Sequence, residues 1–478
     1  MRDYSSDLAL LQNEMDRLRQ RDINVSNPSV YTVNPVLSLL KVSWKGLPNI
    51  LEKKDPDLRP EPGEEYVVIW KNPHDSKIYI RSASNEDLLA IKLIAEDHDM
   101  KHVSSDTNVT ISYLKEVIRN AADIGLIIRP RSRIRREKEF FGTGIDEEYL
   151  ISDVFTLQWH ITQACDFNCR HCYDRTDRKR LTFDMAIKVL DDLYDFSEEM
   201  NVDSSIFFSG GNPFLHPRFP EIYEEAVKRG FEVAILGNPV SREQFEAIVR
   251  IKKPAFYQVS LEGLEAHNDY MRGKGHFEKT LHFLELLDDL DIYSVVMLTL
   301  TRDNMNQVIP LTDVLSDKAD SFTFNRLSLV GKGVLLHLPE QGDYIGFLKD
   351  YLRKCHENNI LRLKDNIINI LRFKNGEDLF GGCTGFGCGA AFNFVALTPD
   401  GEVHACRKFP SYLGNIFSRS LMEIYTSKEA DEYRKGPSEC RGCPIRAVCR
   451  GCLAMAYSCG LDIFKNRDPF CFIGKELR

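Results

Sequence analysis

The stretch "CDFNCRHC" (165–172) places three cysteines, Cys165, Cys169 and Cys172, within eight residues, and the next cysteine along the chain is Cys355. An iron–sulfur cube has four irons, and ferredoxin-type loops commonly supply a thiolate to each of them. Here the local sequence supplies three thiolates, separated by three and then two residues. The spacing therefore predicts a cluster in which one iron has no nearby protein ligand and stays open to a substrate.

Two other interpretations of this stretch remain open. The cysteines could hold a zinc ion together with His171 or His160, or two of the thiols could form a redox pair. Residues elsewhere in the chain distinguish these interpretations, because an iron–sulfur enzyme, a zinc protein and a thiol oxidoreductase need different partner residues.

Composition limits the class of protein. The chain has 478 residues, of which 43% are hydrophobic and 28% charged, as is typical of a folded protein with several domains. The formal net charge of −9 argues against broad binding to nucleic acid or anionic membranes, which reward clustered Lys and Arg. No apolar run reaches the roughly 18 residues that span a bilayer, and the first residues lack a signal-peptide pattern. We therefore expect a cytoplasmic protein that binds neither nucleic acid nor membrane.

The thirteen cysteines are unevenly distributed. The first 164 residues contain none, and nine lie from Cys383 onward. In a reducing compartment structural disulfides are disfavoured, and an odd number of cysteines cannot all pair within one chain. Metal ligation is therefore the favoured role for the two groups of cysteines.

From about residue 152, β-rich apolar runs alternate with amphipathic helical segments. This alternation predicts an α/β fold in which a parallel sheet, open or curled into a barrel, carries helices on its outside. Active sites of such folds lie at the carboxyl ends of the strands, and the three-cysteine loop directly follows the first run. The six runs are "FTLQWHIT", "SSIFF", "FEVAIL", "AFYQVSL", "IYSVVMLTL" and "SFTFNRLSL".

A cysteine triplet after the first strand of a six-fold strand–helix repeat resembles the radical S-adenosylmethionine (SAM) superfamily, whose signature is C-x3-C-x2-C. The resemblance implies a partial (β/α)6 TIM-like barrel over residues 151–335, with a [4Fe–4S] cluster on the three cysteines. In that family the open iron chelates the amino and carboxylate groups of SAM. One electron then splits the sulfonium to give a 5′-deoxyadenosyl radical, which abstracts hydrogen from an unactivated carbon. The cofactors supply the difficult chemistry, and the protein positions the target.

Other segments are similar to the SAM pocket of the family. "FFSGGNPFLHP" (207–217) resembles its Gly-Gly-Glu segment, with Asn212 in place of Glu, while "VSLEG" and "YMRGKGHFEKTL" resemble the segments whose Ser and Arg hold the ribose and carboxylate. "ILGNP" (235–239) matches weakly and is left outside the predicted site. The resemblance thus implies six cofactor-binding residues, and no catalytic side chain is assigned. The six are His171, Gly210, Gly211, Asn212, Ser260 and Arg272.

The cysteines near the end of the chain resemble the auxiliary-cluster extension called the SPASM domain. "CTGFGCGAAFNFVALTPDGEVHAC" and "CRGCPIRAVCRGC", followed by Cys471, fit its pattern, except that Cys449 and Cys452 are separated by two residues rather than three. A structural zinc ribbon built from the two "CRGC" pairs is the alternative.

The SPASM resemblance implies two auxiliary [4Fe–4S] clusters, and therefore three clusters in the chain. The first auxiliary set is Cys383, Cys388, Cys406 and Cys452. The second auxiliary set is Cys440, Cys443, Cys449 and Cys471. Cys355 and Cys459 remain without an assigned role.

The sequence around this barrel divides into further segments. Residues 1–60 predict a helical or irregular segment, 131–150 a linker, 336–380 a helical bridge and 381–478 the SPASM domain. The basic run "RPRSRIRREKE" (129–139) predicts a solvated segment.

Residues 61–130 predict a hairpin, "EYVVIW" and "KIYIRSAS", followed by two helices. This winged-helix-like α+β order resembles the precursor-recognition element of peptide-maturing enzymes, which adds a leader peptide as an extra strand. An oligomerisation or scaffold module is the alternative for the same segment.

Together these resemblances imply a peptide maturase of the kind that modifies ribosomally made precursors, close to the thio(seleno)oxazole and thioether-forming subgroups. It would oxidise a residue at or next to Cys or selenocysteine, with a precursor peptide and its leader as substrate and flavodoxin or ferredoxin as reductant. Two alternatives stay open: a sulfatase-type protein maturase, and a non-catalytic iron–sulfur electron carrier.

Overall fold

The structure is a computed structural model that describes residues 4–23, 28–52, 59–140 and 145–474. The chain forms two compact units, the first from Met1–Arg131 with Lys228–Gly230, and the second from Ser132–Val227 with Phe231–Arg478. Among the described residues, no helix combines the length and the apolar character that crossing a membrane requires.

The described residues of the first unit form two small antiparallel sheets and five helices. A three-stranded sheet has the order β2-β3-β4, and β1 pairs with β5. Its elements are α1 (Ser5–Arg19), β1 (Thr32–Val33), β2 (Leu37–Lys45), α2 (Leu47–Leu51), β3 (Glu61–Lys71), β4 (Ile78–Ser82), α3 (Asn85–Ala95), α4 (Met100–Asp106), α5 (Ile111–Asp123) and β5 (Ile127–Ile128).

Strand β3 is buried on both faces because its side chains alternate between two clusters. Val67 and Ile69 pack in a cluster with Leu11 and Leu18 of α1. Val68 and Trp70 pack on the opposite face, in a cluster to which α3 and α5 contribute. Because the side chains of β3 alternate between the two faces, helices pack on both sides of the sheet.

The structure differs from expectation in the first 60 residues. Strand β2 lies within the segment predicted to be helical or irregular, and it pairs with β3 from Leu37 opposite Trp70 to Lys45 opposite Glu61. The sheet therefore crosses the predicted boundary at residue 60. The predicted hairpin and both predicted helices are present as β3, β4, α3 and α5, and α5 begins after Thr110, whose side chain accepts a hydrogen bond from the Tyr113 amide.

The second unit is a nine-stranded sheet with helices. Its elements are β6 (Val154–Thr162), α6 (Phe183–Met200), β7 (Asp203–Gly210), α7 (Phe219–Lys228), β8 (Glu232–Leu236), α8 (Arg242–Val249), β9 (Tyr257–Ser260), α9 (Glu265–Arg272), α10 (His276–Asp289), β10 (Ser294–Leu300), α11 (Val308–Leu315), β11 (Ser321–Arg326), α12 (Gln341–Glu357), α13 (Ile368–Asn375), β12 (Phe394–Leu397), β13 (Glu402–His404), β14 (Tyr412–Asn415), α14 (Leu421–Tyr425), α15 (Lys428–Lys435) and α16 (Leu453–Ser458).

All six predicted strands are present, as β6 to β11, and each pairs in parallel with its neighbour. The strand order is β11-β10-β9-β8-β7-β6-β12-β13-β14. The α/β prediction with a parallel sheet is therefore confirmed.

The cysteine-rich C-terminal region extends this sheet, which the sequence did not predict. Strand β12 pairs in parallel with β6, with Phe394 opposite Thr156 and Leu397 opposite Trp159. Tyr425 packs against Phe155 and Phe196, with ring centroids 5.8 and 5.2 Å apart. The C-terminal region thus shares the core of the parallel sheet.

The expectation of a solvated segment at 129–139 is wrong for part of that run. Ser132, Ile134 and Arg136 are each buried, whereas the residues between them are exposed. The alternation arises because one side of this extended segment packs into the second unit, and tertiary contact overrides local polarity. Residues 141–144 of the predicted linker lie outside the described ranges.

Candidate functional site

A cavity of about 1250 Å³ opens at the carboxyl ends of the parallel strands. The last residues of β6, β7, β8 and β9 and the next-to-last residues of β10 and β11 line it: Thr162, Gly210, Leu236, Ser260, Thr299 and Asn325. The three-cysteine loop follows β6, so the topology brings all three of its thiols to this cavity.

The backbone of the cluster loop, residues 165–172, is anchored to two other segments. The Arg170 amide donates to the Met271 carbonyl at 2.9 Å, and the Lys332 amide donates to the Cys172 carbonyl at 2.9 Å. Cys169 is nearly buried, and burial raises the pKa of its thiol. All thirteen cysteines of the chain are free, so the three thiols remain available as ligands.

The glycine pair after β7 allows a close approach of the cluster loop. A Cβ on Gly210 would lie 2.2 Å from the Thr162 carbonyl oxygen, and one on Gly211 would lie 2.1 Å from the Ala164 carbonyl oxygen. Gly210 also has a φ of +134°, which disfavours side chains. Both glycines line the cavity, and their lack of side chains lets β7 pack against the residues that lead into Cys165.

Asn212 lies beside this turn, but it does not line the cavity. Its Nδ2 donates to Asp166 at 3.3 Å, and its Oδ1 accepts from the Phe214 amide at 3.3 Å. Asn238, from the "ILGNP" segment left outside the predicted site, does line the cavity and donates to the same Asp166 oxygen at 2.6 Å. Its Nδ2 also lies 3.7 Å from the Cys165 sulfur.

Arg272 and His171 meet at a buried carboxylate, Glu262, that the sequence interpretation missed. Arg272 donates to Glu262 Oε1 through Nη2 at 2.6 Å and through Nε at 2.9 Å, and its Nη1 lies 3.8 Å from the Cys169 sulfur. His171 Nε2 is 3.3 Å from the same oxygen. The signal was an acidic residue two positions after Ser260, the last residue of its strand.

Burial sets the protonation states of this group. It lowers the pKa of His171 to about 4, despite the nearby carboxylate. Burial also raises the pKa of Glu262, but the interactions with His171 and Arg272 and the hydrogen bond from the Thr299 amide together outweigh it, so that this pKa falls below its usual value. Near neutral pH the group therefore contains a carboxylate, a guanidinium and a neutral imidazole.

A second polar group ties the cluster loop to the C-terminal hairpin. Asp174 forms an ion pair with Arg407, and Arg178 binds Asp400 at 2.9 Å and Glu402 at 2.7 Å. These pairs join residues more than 220 positions apart in sequence, so no local sequence pattern predicts them.

The first auxiliary set lies next to the same cavity. Cys383 and Cys406 line it, and burial raises the pKa of Cys406 to about 12, with the Cys452 and Cys388 thiols adding to the effect. Burial also raises the pKa of Cys383, and the Cys388 thiol adds to the effect. The four thiols predicted to share a cluster are therefore near neighbours.

The second auxiliary set surrounds a separate cavity of about 30 Å³. All four of its cysteines line that space. Burial raises the pKa of Cys440 to about 12, and the Cys443 and Cys471 thiols contribute. Within the described ranges, no three His, Cys, Asp or Glu side chains converge closely enough to hold a single metal ion.

Three buried arginines lie around the auxiliary cysteines. Arg136, Arg446 and Arg450 are 3%, 4% and 2% exposed, and each has a buried Nε without a hydrogen-bond partner among the described residues. Arg136 donates to the carbonyls of Phe386 and Cys388 at 2.8 and 3.1 Å.

A buried cation is costly unless a negative charge compensates it. Among the described carboxylates, the exposed Glu139 lies 3.9 Å from Arg446, and Arg136 and Arg450 form no ion pair. Thiolate-ligated iron–sulfur clusters carry negative charge, so the donors and the buried arginines together fit such clusters.

Family models match the region of the cluster loop and the region that holds six of the eight auxiliary cysteines, all except Cys383 and Cys471. Residues 159–315 match the radical SAM superfamily model, and this region contains the cluster loop, Arg272 and Glu262. Residues 388–452 match the SPASM model, described as an iron–sulfur cluster-binding domain.

Relatives in sequence are distant. The antilisterial bacteriocin subtilosin biosynthesis protein AlbA of Bacillus subtilis is 25% identical over 349 residues, which are 68% of this chain and 73% of AlbA. The Fe-coproporphyrin III synthase of Methanosarcina barkeri is 24% identical over 367 residues, which are 66% of this chain and 88% of the synthase.

Among solved structures, Streptococcus suis SuiB bound to S-adenosylmethionine shares the fold. Its TM-score is 0.53 at 16% identity, and the match covers 85% of this chain and 96% of SuiB. The agreement of motif, topology and site geometry with these comparisons leads to one conclusion. Residues 159–315 form a radical SAM domain and residues 388–452 a SPASM iron–sulfur cluster-binding domain, and the chain is an enzyme.

Proposed function

We propose that this enzyme is a maturase that binds the leader of a ribosomally made precursor peptide and oxidatively modifies a residue at or next to Cys or selenocysteine. The observation that carries the proposal is that cysteines of the cluster loop and of the first auxiliary set line one cavity of about 1250 Å³. Small-molecule pockets usually measure about 300–1,000 Å³, so this cavity has room for SAM and a peptide segment together.

The proposal assigns three [4Fe–4S] clusters to the three groups of cysteines. When bound, SAM and the cluster of the loop supply reductive sulfonium cleavage and hydrogen-atom abstraction from the substrate. Arg272, already oriented by Glu262, would donate to the SAM carboxylate, and Ser260 would contact the ribose. The backbone at Gly210 and Gly211, with His171, would complete the pocket, and Asn212 would support the glycine turn through its hydrogen bond to Asp166.

The first unit supports a role in leader binding. Strand β4 is an edge strand, and the residues that flank it bond to β3 and to the turn after β3. The Asn72 amide donates to the Lys77 carbonyl, and the Ala83 amide donates to the Tyr66 carbonyl. By the antiparallel alternation, the backbone groups of Ile78, Ile80 and Ser82 point away from β3. Such an edge can accept an added peptide strand. On the other edge, the Ser43 amide already bonds to Asp7 of α1.

The names of two similar proteins agree with a peptide substrate. AlbA is a bacteriocin biosynthesis protein, and SuiB has been solved with its precursor peptide SuiA. The proposed reductant is a small one-electron carrier such as flavodoxin or ferredoxin, and the proposed compartment is the cytoplasm.

A tetrapyrrole carboxylate is the second candidate substrate, because the Fe-coproporphyrin III synthase is also a relative and basic side chains outnumber acidic ones in the lining of the cavity. Two acidic residues line it, Asp174 and Asp177, against eight basic ones. The basic residues are Arg175, Arg178, Lys179, Arg180, Arg272, Lys364, Arg407 and Lys408.

The test uses the cluster-loaded full chain, a reductant, SAM and the short peptide encoded nearest to its gene. We expect a mass loss in the full-length peptide and little turnover of the same peptide without its leader. Ser82→Pro removes one outward N–H from β4 and should raise the KM for the full peptide about tenfold or more, whereas Ser82→Ala should not. Equal turnover with and without the leader, or consumption of iron coproporphyrin III instead, would refute the proposal.

A further inference from the structure

We propose that the outer surface of the cluster loop is the docking site for an acidic one-electron carrier protein. The site consists of a basic collar, Arg170, Lys279 and Lys332, and an exposed apolar group, Tyr270, Val334 and Leu335. This inference rests on the radical SAM chemistry and is independent of which peptide or tetrapyrrole the enzyme modifies.

The three basic residues of the collar each contact the cluster loop or belong to it. Lys332 Nζ lies 2.5 Å from Asn168 Oδ1, and Lys279 Nζ lies 5.5 Å from the centre of the Phe167 ring. Arg170 is part of the loop, and its guanidinium stacks 4.1 Å above the Tyr270 ring. The positive charges therefore surround the residues between the cluster-ligand cysteines.

None of these three cations forms an ion pair with a described carboxylate. Lys332 and Lys279 are held instead by an amide and an aromatic ring, so their charges stay available to a partner. The chain as a whole has a formal net charge of −9, so the positive charge of this local group is opposite in sign to the overall charge. Positive patches steer and orient acidic partners over distances of about a Debye length.

An apolar centre accompanies the collar. Tyr270, Val334 and Leu335 are 58%, 58% and 78% exposed. The segment that carries Val334 and Leu335 is fixed to the cluster loop, because the Lys332 amide bonds to the Cys172 carbonyl. Exposed apolar side chains rimmed by charges are typical of interaction sites, and weak electron-transfer complexes need little buried area.

Position favours an electron carrier over other partners. The cavity takes SAM and the substrate at the carboxyl ends of the strands, whereas the collar lies on the surface of the loop that holds the cluster ligands. Docking there brings a donor close to the cluster, and one electron passes from the reduced carrier to the cluster with no bond formed or broken. Reduced flavodoxin, a small acidic carrier, has the required chemistry.

The experiment combines kinetics with cross-linking of the cluster-loaded enzyme and reduced flavodoxin. In anaerobic stopped-flow at low salt, the Lys279→Glu/Lys332→Glu variant should lower the second-order rate constant of cluster bleaching by about tenfold, and added salt should shrink the difference. Lys252→Glu is the matched control. Lys252 is exposed and lies before the amino end of β9, whereas the cluster loop lies at the carboxyl ends of the strands. Carbodiimide should cross-link flavodoxin to Lys279 and Lys332 and not to Lys252.

Photoreduced deazariboflavin, an uncharged small reductant, should reduce the wild type and the variant equally and so verify intact clusters. The proposal is overturned if flavodoxin reduces both at the same rate, if Lys252→Glu lowers the rate as much, or if the cross-links map elsewhere. Loss of precursor binding at an unchanged flavodoxin rate would assign the surface to the peptide and also overturn it. None of these results depends on product formation, so a failed maturase assay would leave this test intact.

Discussion

Arg272 Nη1 lies 3.8 Å from the sulfur of Cys169, while its Nη2 donates to the fully buried Glu262 at 2.6 Å. The guanidinium is thus held by a carboxylate on one side and faces a cluster ligand on the other. A buried ion pair of this kind fixes orientation more than it adds stability. Arg272 is therefore prepared to present its remaining N–H groups to an anionic ligand in the cavity.

The first prediction concerns this orientation. Arg272→Lys keeps the charge that Glu262 needs but loses the planar fork, so the dissociation constant of SAM should rise about tenfold, as expected for the loss of one charge-assisted hydrogen bond. Anaerobic equilibrium binding measures the change, and iron content should stay at the wild-type level. Arg302→Gln, which changes an exposed arginine after β10, is the control. If Arg272→Lys binds SAM with unaltered affinity, Arg272 does not contact the SAM carboxylate.

The second prediction concerns the glycine turn. Gly211→Ala would place a Cβ 2.1 Å from the Ala164 carbonyl oxygen, so the segment leading into Cys165 must move. We expect the variant to lose about four irons per chain from the loop cluster and to lose SAM cleavage, while the auxiliary clusters remain. Iron analysis with electron paramagnetic resonance separates the two outcomes.

Gly346→Ala is the matched control for this substitution. Gly346 lies in α12, and no group of the described residues outside the backbone of that helix lies within 4 Å of the position that a Cβ would take. Alanine there should stabilise the helix by about 0.5–1 kcal/mol. If Gly211→Ala retains full iron and full SAM cleavage, the close approach of β7 to the cluster loop is not required.

The third prediction concerns the buried arginines. Arg136→Gln removes a buried positive charge that lies against the Cys388 carbonyl, so adding an electron to the nearby cluster becomes less favourable. The midpoint potential of an auxiliary cluster should become more negative, as measured by potentiometric titration. Arg135→Gln, at the exposed neighbouring position, should leave the potential unchanged. Equal potentials in wild type and Arg136→Gln would mean that these arginines serve only to pack the fold.

The parallel sheet could be predicted because strand β6 and its successors are apolar runs between amphipathic helices, a pattern written in local sequence. The cluster loop could be predicted because its three cysteines are close in sequence. Strand β2 was missed because "LSLLKVSWK" follows a Pro-bearing stretch and has a partner, β3, that starts 16 residues after β2 ends.

The long-range side-chain pairs could not be predicted either, because their partners also lie far apart in sequence. Glu262 acquires its role only when α9 carries Arg272 back to the end of β9, and Arg136 becomes buried only when residues 250 positions later fold against it. Asn238 was excluded as a weak match, yet the fold brings it to Asp166 beside Cys165. Local pattern identifies ligands, whereas tertiary structure selects the groups that surround them.

The central claim is that Cys165, Cys169 and Cys172 hold a cluster with one iron free to bind SAM. The most direct measurement is electron–nuclear double resonance on the reduced enzyme with SAM labelled with ¹⁷O in its carboxylate. The account predicts a strong ¹⁷O coupling that vanishes when the three cysteines are replaced by alanine, while the auxiliary signals persist. No ¹⁷O coupling in the intact, SAM-bound enzyme would contradict it.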